Sequence, residues 1–524
     1  MSERGVGIPR AIGPIESVIK RYDRAVARRE LWRSNMQDCY RYAIPDRELF
    51  MQITPGQKKG QYIFDSTAQE AVQEFASRIQ STICPAWRNW SKLVAGPALP
   101  QEVRESDELA LQLEKQTDIF FSYINHSNFV LKAHEAFQDL SVGTGAITCE
   151  LNEQRNGLVF EAIPPPMLAI EEGPTGLIET TFMDRKCPPG HIQRSYPGAV
   201  LPQKFQQALR DNPDKDVEYQ VACLYEPLRA QYHLVVFTKQ EKFVLYWRNY
   251  GETSPCIVFR WSSIAGEDWG RGPVMSCLPN VKTLNVVVEY ILRGAAITVM
   301  PPYTAVADGV INPYTVRVDP TAIIPVSSND TSNPSLRQLD ANAKPEMSQI
   351  ILDDMRMSVR RQMYADPRRR EGPIQSATEI LVEDREFIQR IGSSFGRMQT
   401  EFAERVINRG IAVLKSVGKM ADIRIDGREI TLKHLSPLAR AQDQDELLSI
   451  QTAFQLIAPL GPEALMLTVK PEMMGEFIFK KSGVPSDLLR SDGERAKMMA
   501  QMAQAATVAA NQQAAQAQGA PAPA

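Results

Sequence analysis

The stretch KPEMSQIILDDMRMSVRRQMYADPRRREGPIQSATEILVEDREFIQRIGSSFGRMQTEFAERVINRGIAVLKSVG, Lys344–Gly418, decides how this chain is built. Its first part predicts a helix of about twenty residues. Pro345 stands at the start, and Met347, Ile350, Ile351, Met355, Val359 and Met363 recur at helical spacing. Asp366-Pro367 should end it, because a proline ring clashes with the preceding turn. Arg368-Arg369-Arg370-Glu371-Gly372-Pro373 then leads to Ser376-Ala377-Thr378-Glu379, spaced as a capping box that opens a second helix. From there Phe387, Ile391, Phe395, Met398, Phe402, Val406, Ile411 and Leu414 continue an apolar stripe to a stop at Gly418. An unbroken helix of that length would run roughly 60 Å, too long for one compact domain. Gly392, Gly396 and Gly410 favour a bend in it.

Arg368, Arg369 and Arg370, with Arg356, Arg360 and Arg361 as supporting basic residues on the helix before them, gather positive charge at one end of a rod. Asp353 and Asp354 lie toward the other end. Two roles fit this pattern: a solvated loop, or a contact to phosphates that is independent of base sequence and weakened by salt.

At 524 residues the chain suggests about three or four domains. A net charge of -3 excludes a protein that coats nucleic acid over its whole surface, so any such contact must be local. Seven scattered cysteines without a CxxC pair read as reduced thiols of a cytosolic product. No run of 18 apolar residues and no apolar signal core at MSERGVGIPR point to a membrane or to secretion.

Taken in order, residues 15–43 predict a basic helix halted by Pro45, with its arginines on a solvated face or against nucleic acid. Ser66 and Gln69 are spaced as a capping box for a helix closed by Pro85, with Trp87, Trp90 and Leu93 packed beneath. Residues 106–140 read as one helix, in which His126 and His134 are structural. Short strands follow from Gly143, including 158–163, 179–183, 221–225, 232–237, 242–247 and 256–261, giving an α/β or α+β body. After Trp269-Gly270-Arg271-Gly272-Pro273, Pro279 suits the first turn of a helix carrying Val281, Leu284, Val288, Ile291 and Ala295. Pro301-Pro302 ends it, and a small strand-and-loop insert leads back to Lys344. Beyond Gly418 the expectation is a hairpin at 423–430 turning on Asp426-Gly427, helix from about Ala439, and a disordered Ala/Gln/Pro tail.

No G-x-x-x-x-G-K-[ST], H-E-x-x-H or G-x-S-x-G motif is present, and five histidines offer few general bases. The sequence therefore predicts neither an enzyme nor a cofactor or metal site.

Several stretches, taken together and in order, resemble the portal proteins, or head-to-tail connectors, of short-tailed T7-like bacteriophages. They are Asp65-Ser66-Thr67 with Phe75–Ser77 and Pro85 to Trp90, then Trp269–Pro273 with Leu284-Asn285, and Ser376–Glu379. Leu435–Gln442 and Gly483-Val484-Pro485 with Leu489-Arg490-Ser491 complete the set. The resemblance implies a mostly helical α+β portal fold with an α/β wing body (1–272), stem helices (273–300 and 345–366) and a small α/β clip (301–344). A tunnel loop (367–375), a long wing helix and hairpin (376–434), a helical crown or barrel (435–505) and a disordered tail (506–524) complete it. It further implies a dodecameric ring at the unique capsid vertex of the virion, made in the host cytoplasm. Double-stranded DNA would pass through its channel during packaging and ejection. Implied partners are the other copies, the terminase large subunit, tail adaptor and tail tube proteins, scaffolding and major capsid proteins, and internal core proteins, with no membrane. On this resemblance Arg368, Arg369 and Arg370 sit in the tunnel loop and face DNA. A tail adaptor and a DNA-processing enzyme are the competing classes.

Overall fold

The computed structural model describes residues 6–9, 12–50, 56–100, 107–299, 303–305, 336–338, 345–365, 387, 389–421 and 430–434. Isolated positions at 447, 449–453, 455, 477–478, 498 and 501 are also described, all of them helical.

Helix α1 (Ile15–Ala43) stops before Pro45, as expected, and starts after Pro14. Its apolar face (Ile15, Val18, Ile19, Tyr22) lies on a sheet. Its basic face is partly solvated, with Arg24, Arg28 and Arg33 exposed, and partly tied to the body: Arg21, Arg28 and Arg29 pair with Glu171, Asp268 and Asp184 at 2.6, 2.6 and 3.3 Å.

Helix α2 (Thr67–Ile83) is capped differently from the expected box. Asp65 Oδ1 accepts the Thr67 N–H at 2.9 Å, and Ser66 Oγ bonds Glu70 rather than Gln69. After Pro85 comes β1 (Ser91–Ala95), preceded by a buried Trp90, whereas Trp87 is 75% exposed with φ 61°. The expected 106–140 helix is two helices, α3 (Asp107–Asn125) and α4 (Phe129–Val142). They part because Asn128 commits both ends of its amide to the backbone of Phe160, at 2.8 Å each. His126 and His134 bond the Ser122 carbonyl and the Gln80 and Gln73 side chains, consistent with structural roles.

The strand region holds β2 (Thr144–Leu151), β3 (Leu158–Ala162), β4 (Leu168–Glu172) and β5 (Ile178–Cys187). Two short helices, α5 (Pro189–Ser195) and α6 (Gln203–Asp211), precede β6 (Val217–Glu226), β7 (Gln231–Thr238), β8 (Phe243–Gly251) and β9 (Cys256–Arg260). The sheets run β4-β5-β6-β7-β8 and β3-β2-β9. Every strand pair among the described residues is antiparallel, so the body is α+β and not α/β. Alternation along β6 sends Ala222 and Leu224 toward α1, and Val221 and Cys223 into a second core on the opposite face.

The Trp269–Pro273 turn is fitted against the end of α4 with no room for a side chain. A Cβ on Gly272 would lie 2.2 Å from the Ser141 carbonyl oxygen, and the Gly272 N–H donates to the Val142 carbonyl at 2.9 Å. From that turn α7 (Pro273–Val299) starts earlier than Pro279, which lies inside the helix. The strands β10 (Tyr303–Ala305) and β11 (Leu336–Gln338) pair antiparallel and tie the end of α7 to the start of α8 (Pro345–Gln362). The rest of the expected clip lies outside the described residues.

Helix α8 stops before Asp366-Pro367. Tyr364 takes φ 57°, and the Ala365 N–H reaches back to the Arg360 carbonyl at 2.8 Å, a left-handed cap. The chain is described again at Phe387 and runs through α9 (Gly392–Arg397), a π-helical turn (Met398–Ala403) and α10 (Glu404–Ser416), ending at Gly418 with φ 70°. This part is no free rod: Met398, Phe402, Val406, Ile407, Ile411 and Leu414 are buried in a third core with α2, α3, α4, β2 and β3. The π turn aims buried Glu401 at buried Arg260, taking its N–H at 2.9 Å and its guanidinium at 3.0 Å. The box at Ser376–Glu379 and the Asp426-Gly427 turn lie outside the described residues. Strand β12 (Ile430–His434) pairs with β1, Ser91 opposite His434.

All seven cysteines are free thiols, and only Cys187 is not fully buried.

Candidate functional site

Val281, Leu284 and Val288 on α7, Leu352 and Val359 on α8 and Met363 just past its end belong to one buried core. Beyond Val288 and before Leu352 the pattern reverses: Tyr290, Leu292 and Ile350 are 65, 53 and 72% exposed. The pair therefore leaves the body near these residues, and the last turns of α7 project about 16 Å at 1.5 Å per residue.

The segment between Gly60 and α2 clamps both helices at the base. The Asn285 side chain of α7 donates to the Tyr62 carbonyl at 3.0 Å and accepts the Phe64 N–H at 2.7 Å. The next residue, Asp65, holds Arg356 of α8 through Nε and Nη2 at 2.9 and 2.8 Å. Burial pushes the Asp65 carboxyl up, but hydrogen bonds from Thr67 and Arg356 outweigh it and hold the carboxyl below its ordinary value. One turn on, Arg360 meets Glu70 of α2 at 2.9 Å.

Two of the three supporting basic residues thus face carboxylates, Asp65 just before α2 and Glu70 within it. Arg361 is exposed, with Nη2 at 3.2 Å from Met357 Sδ. Arg368, Arg369 and Arg370 lie outside the described residues, but both ends of the segment that holds them are fixed. The Tyr364 and Phe387 rings are 6.5 Å apart, with Tyr364 also against Trp261. Arg78 of α2 donates to the Tyr364 carbonyl at 2.9 Å and lies over the Phe387 ring. Chain that departs at Ala365 therefore returns to the same spot by Phe387.

Sequence reasoning missed Arg78, Asp65 and Asn285 as the residues that hold the pair and the root of the basic segment. The only local signal for Asp65 and Asn285 was membership of the Asp65-Ser66-Thr67 and Leu284-Asn285 stretches, and Arg78 had none. Among the described residues no group of histidine, cysteine and carboxylate side chains could hold a metal ion. No helix among them is long and apolar enough to cross a membrane. The arrangement positions and braces the two helices.

A family model described as bacteriophage head to tail connecting protein matches residues 16–489. A relative from Bordetella phage BPP-1, named "Probable portal protein", is 21% identical over 497 residues, covering 88% of this chain and 84% of its own. Among solved structures, a chain from the virion of a native gene transfer agent particle aligns with TM-score 0.34 and 10% identity, over 80% of this chain and 90% of that one.

Proposed function

The chain belongs to the bacteriophage head to tail connecting protein family, a structural and non-enzymatic family, and on that premise we propose that it is the portal of a phage head. In this proposal identical copies close into a dodecameric ring at one capsid vertex. The ring's axial channel passes double-stranded DNA inward during packaging and outward at ejection, and its outer end receives the tail. The match over residues 16–489 carries the proposal. The projecting α7–α8 pair supports it as the stem, with 301–344 as the clip that meets the terminase and later the tail adaptor.

Arg368, Arg369 and Arg370 are assigned the DNA contact within the channel. Duplex DNA carries about one charge per 1.7 Å of axis, so a collar of such loops grips phosphates without reading bases. Arg356 and Arg360, engaged with Asp65 and Glu70, brace the rod instead.

Negative-stain imaging of the purified chain tests the ring: closed rings with a central hole are expected. A chain that stays monomeric under every assembly condition, with filled heads lacking it at the entry vertex, overturns the proposal. Replacing Arg368, Arg369 and Arg370 together by alanine should lower DNA retention in filled heads, most at low salt, where the phosphate contacts are strongest. Normal retention refutes their role.

A further inference from the structure

Resting on the ring reading, we propose that the projecting pair carries both halves of the seam between neighbouring copies, with α7 of one copy packed on α8 of the next. Two stripes lead to this. On α7, Val286, Tyr290 and Arg293 stand at i, i+4 and i+7, and all are exposed. On α8, Ile350, Asp354 and Met357 repeat the same spacing and are also exposed. Each stripe joins apolar side chains to one charge, and the charges are opposite, with Arg293 also paired to Glu289 one turn back on its own helix.

A ring needs this asymmetry. Its interface is heterologous, so each copy must present two different and mutually complementary surfaces.

The levels agree as well. Asn285 and Arg356 are held by the adjacent residues Phe64 and Asp65, so they stand at about one height. The β10–β11 tie makes the helices antiparallel, so each step up α7 matches a step down α8. Val286 then falls within about half a turn of Met357, and Tyr290 within about one residue of Ile350. Arg293 and Asp354 are about 9 Å apart along the rod at 1.5 Å per residue. Their Cα–Cβ bonds each tilt toward their own helix N-terminus, which brings them toward each other. Rotation about an axis along the rods preserves these heights from copy to copy.

The test is a mixed cross-link in full-length chains. Val286→Cys and Met357→Cys chains are assembled together and oxidised with copper phenanthroline, then compared with each variant oxidised alone. Covalent dimers should form in the mixture and in neither single-variant sample. If Val286→Cys blocks assembly, Tyr290→Cys with Ile350→Cys serves the same purpose. Rings that yield no mixed cross-link from either pair overturn the seam but leave the ring standing, as does self-linkage of Val286→Cys. Absence of rings from the unaltered chain overturns both.

Discussion

Replacing Asp65 by alanine removes a single carboxylate that serves two elements at once. It accepts the Thr67 N–H that opens α2 and two N–H groups of Arg356 on α8. The first loss resembles that of an N-terminal cap, about 1 kcal/mol. Arg356 has a side chain 40% exposed, so water covers much of what it loses, and the pair counts as a surface one, about 0.5–1 kcal/mol. Together Asp65→Ala should cost about 2 kcal/mol, roughly thirtyfold in the folding equilibrium. Urea denaturation reads the total. Hydrogen exchange should show faster opening in 60–66 and in α8, while α10 is unchanged. A double-mutant cycle with Arg356→Ala should recover about 0.5–1 kcal/mol of coupling. The sign with pH follows from the depressed carboxyl. Its contribution is complete above the unfolded value of about 3.9 and is lost as pH falls through the lower folded value, so variant and parent converge in strong acid. A loss under about 0.5 kcal/mol, or a gap that stays constant into acid, would refute the bridging role.

Glu401→Ala should be more costly, about 3 kcal/mol by chemical denaturation, because it leaves the wholly buried Arg260 guanidinium with only the longer Glu172 pair at 3.5 Å. Gly272→Ala should abolish soluble expression, or cost about 3 kcal/mol or more, since its methyl group would meet the Ser141 carbonyl at 2.2 Å. The two nearby tryptophans should separate cleanly in the same denaturation assay. Trp90→Ala should cost about 3–5 kcal/mol and Trp87→Ala less than about 0.5 kcal/mol, because only the first is buried.

The elements legible in the sequence were those with local causes. Pro45 stops α1, and the short apolar runs of β6 and β7 mark them as strands. The helical period of α7 and α8 gave their paired core faces. What escaped has its cause far along the chain. The break at Asn128 exists because the backbone of Phe160 needs its amide, while the apolar stripe runs on through Ile124 and Phe129 without a gap. Strand β12 pairs with residues more than three hundred positions earlier, so a local turn signal at Asp426-Gly427 was the nearest available guide. The π turn at 398–403 has no composition of its own and is set by where Glu401 must reach. Arg356 and Arg360 looked like free charge because Asp65 and Glu70, some 290 positions away, are brought to them only by folding. Asp366-Pro367 and Pro279 were true helix signals assigned to the wrong turn, because the left-handed Tyr364 and the glycine-packed start at Pro273 act first.

The concealment of the thiols has a practical outcome. A cysteine couples to a maleimide dye through its thiolate, and burial keeps these groups protonated, with Cys256 pushed up to about 11 and Cys149 to about 12. Cys187, half-buried beside the Tyr219 hydroxyl at 3.8 Å, is the one site with access to reagent. Exchanging it for serine should leave a polypeptide that ignores such dyes while folded. A fluorophore placed on a new surface cysteine would then report from that position alone, allowing individual copies to be followed as a virion is assembled.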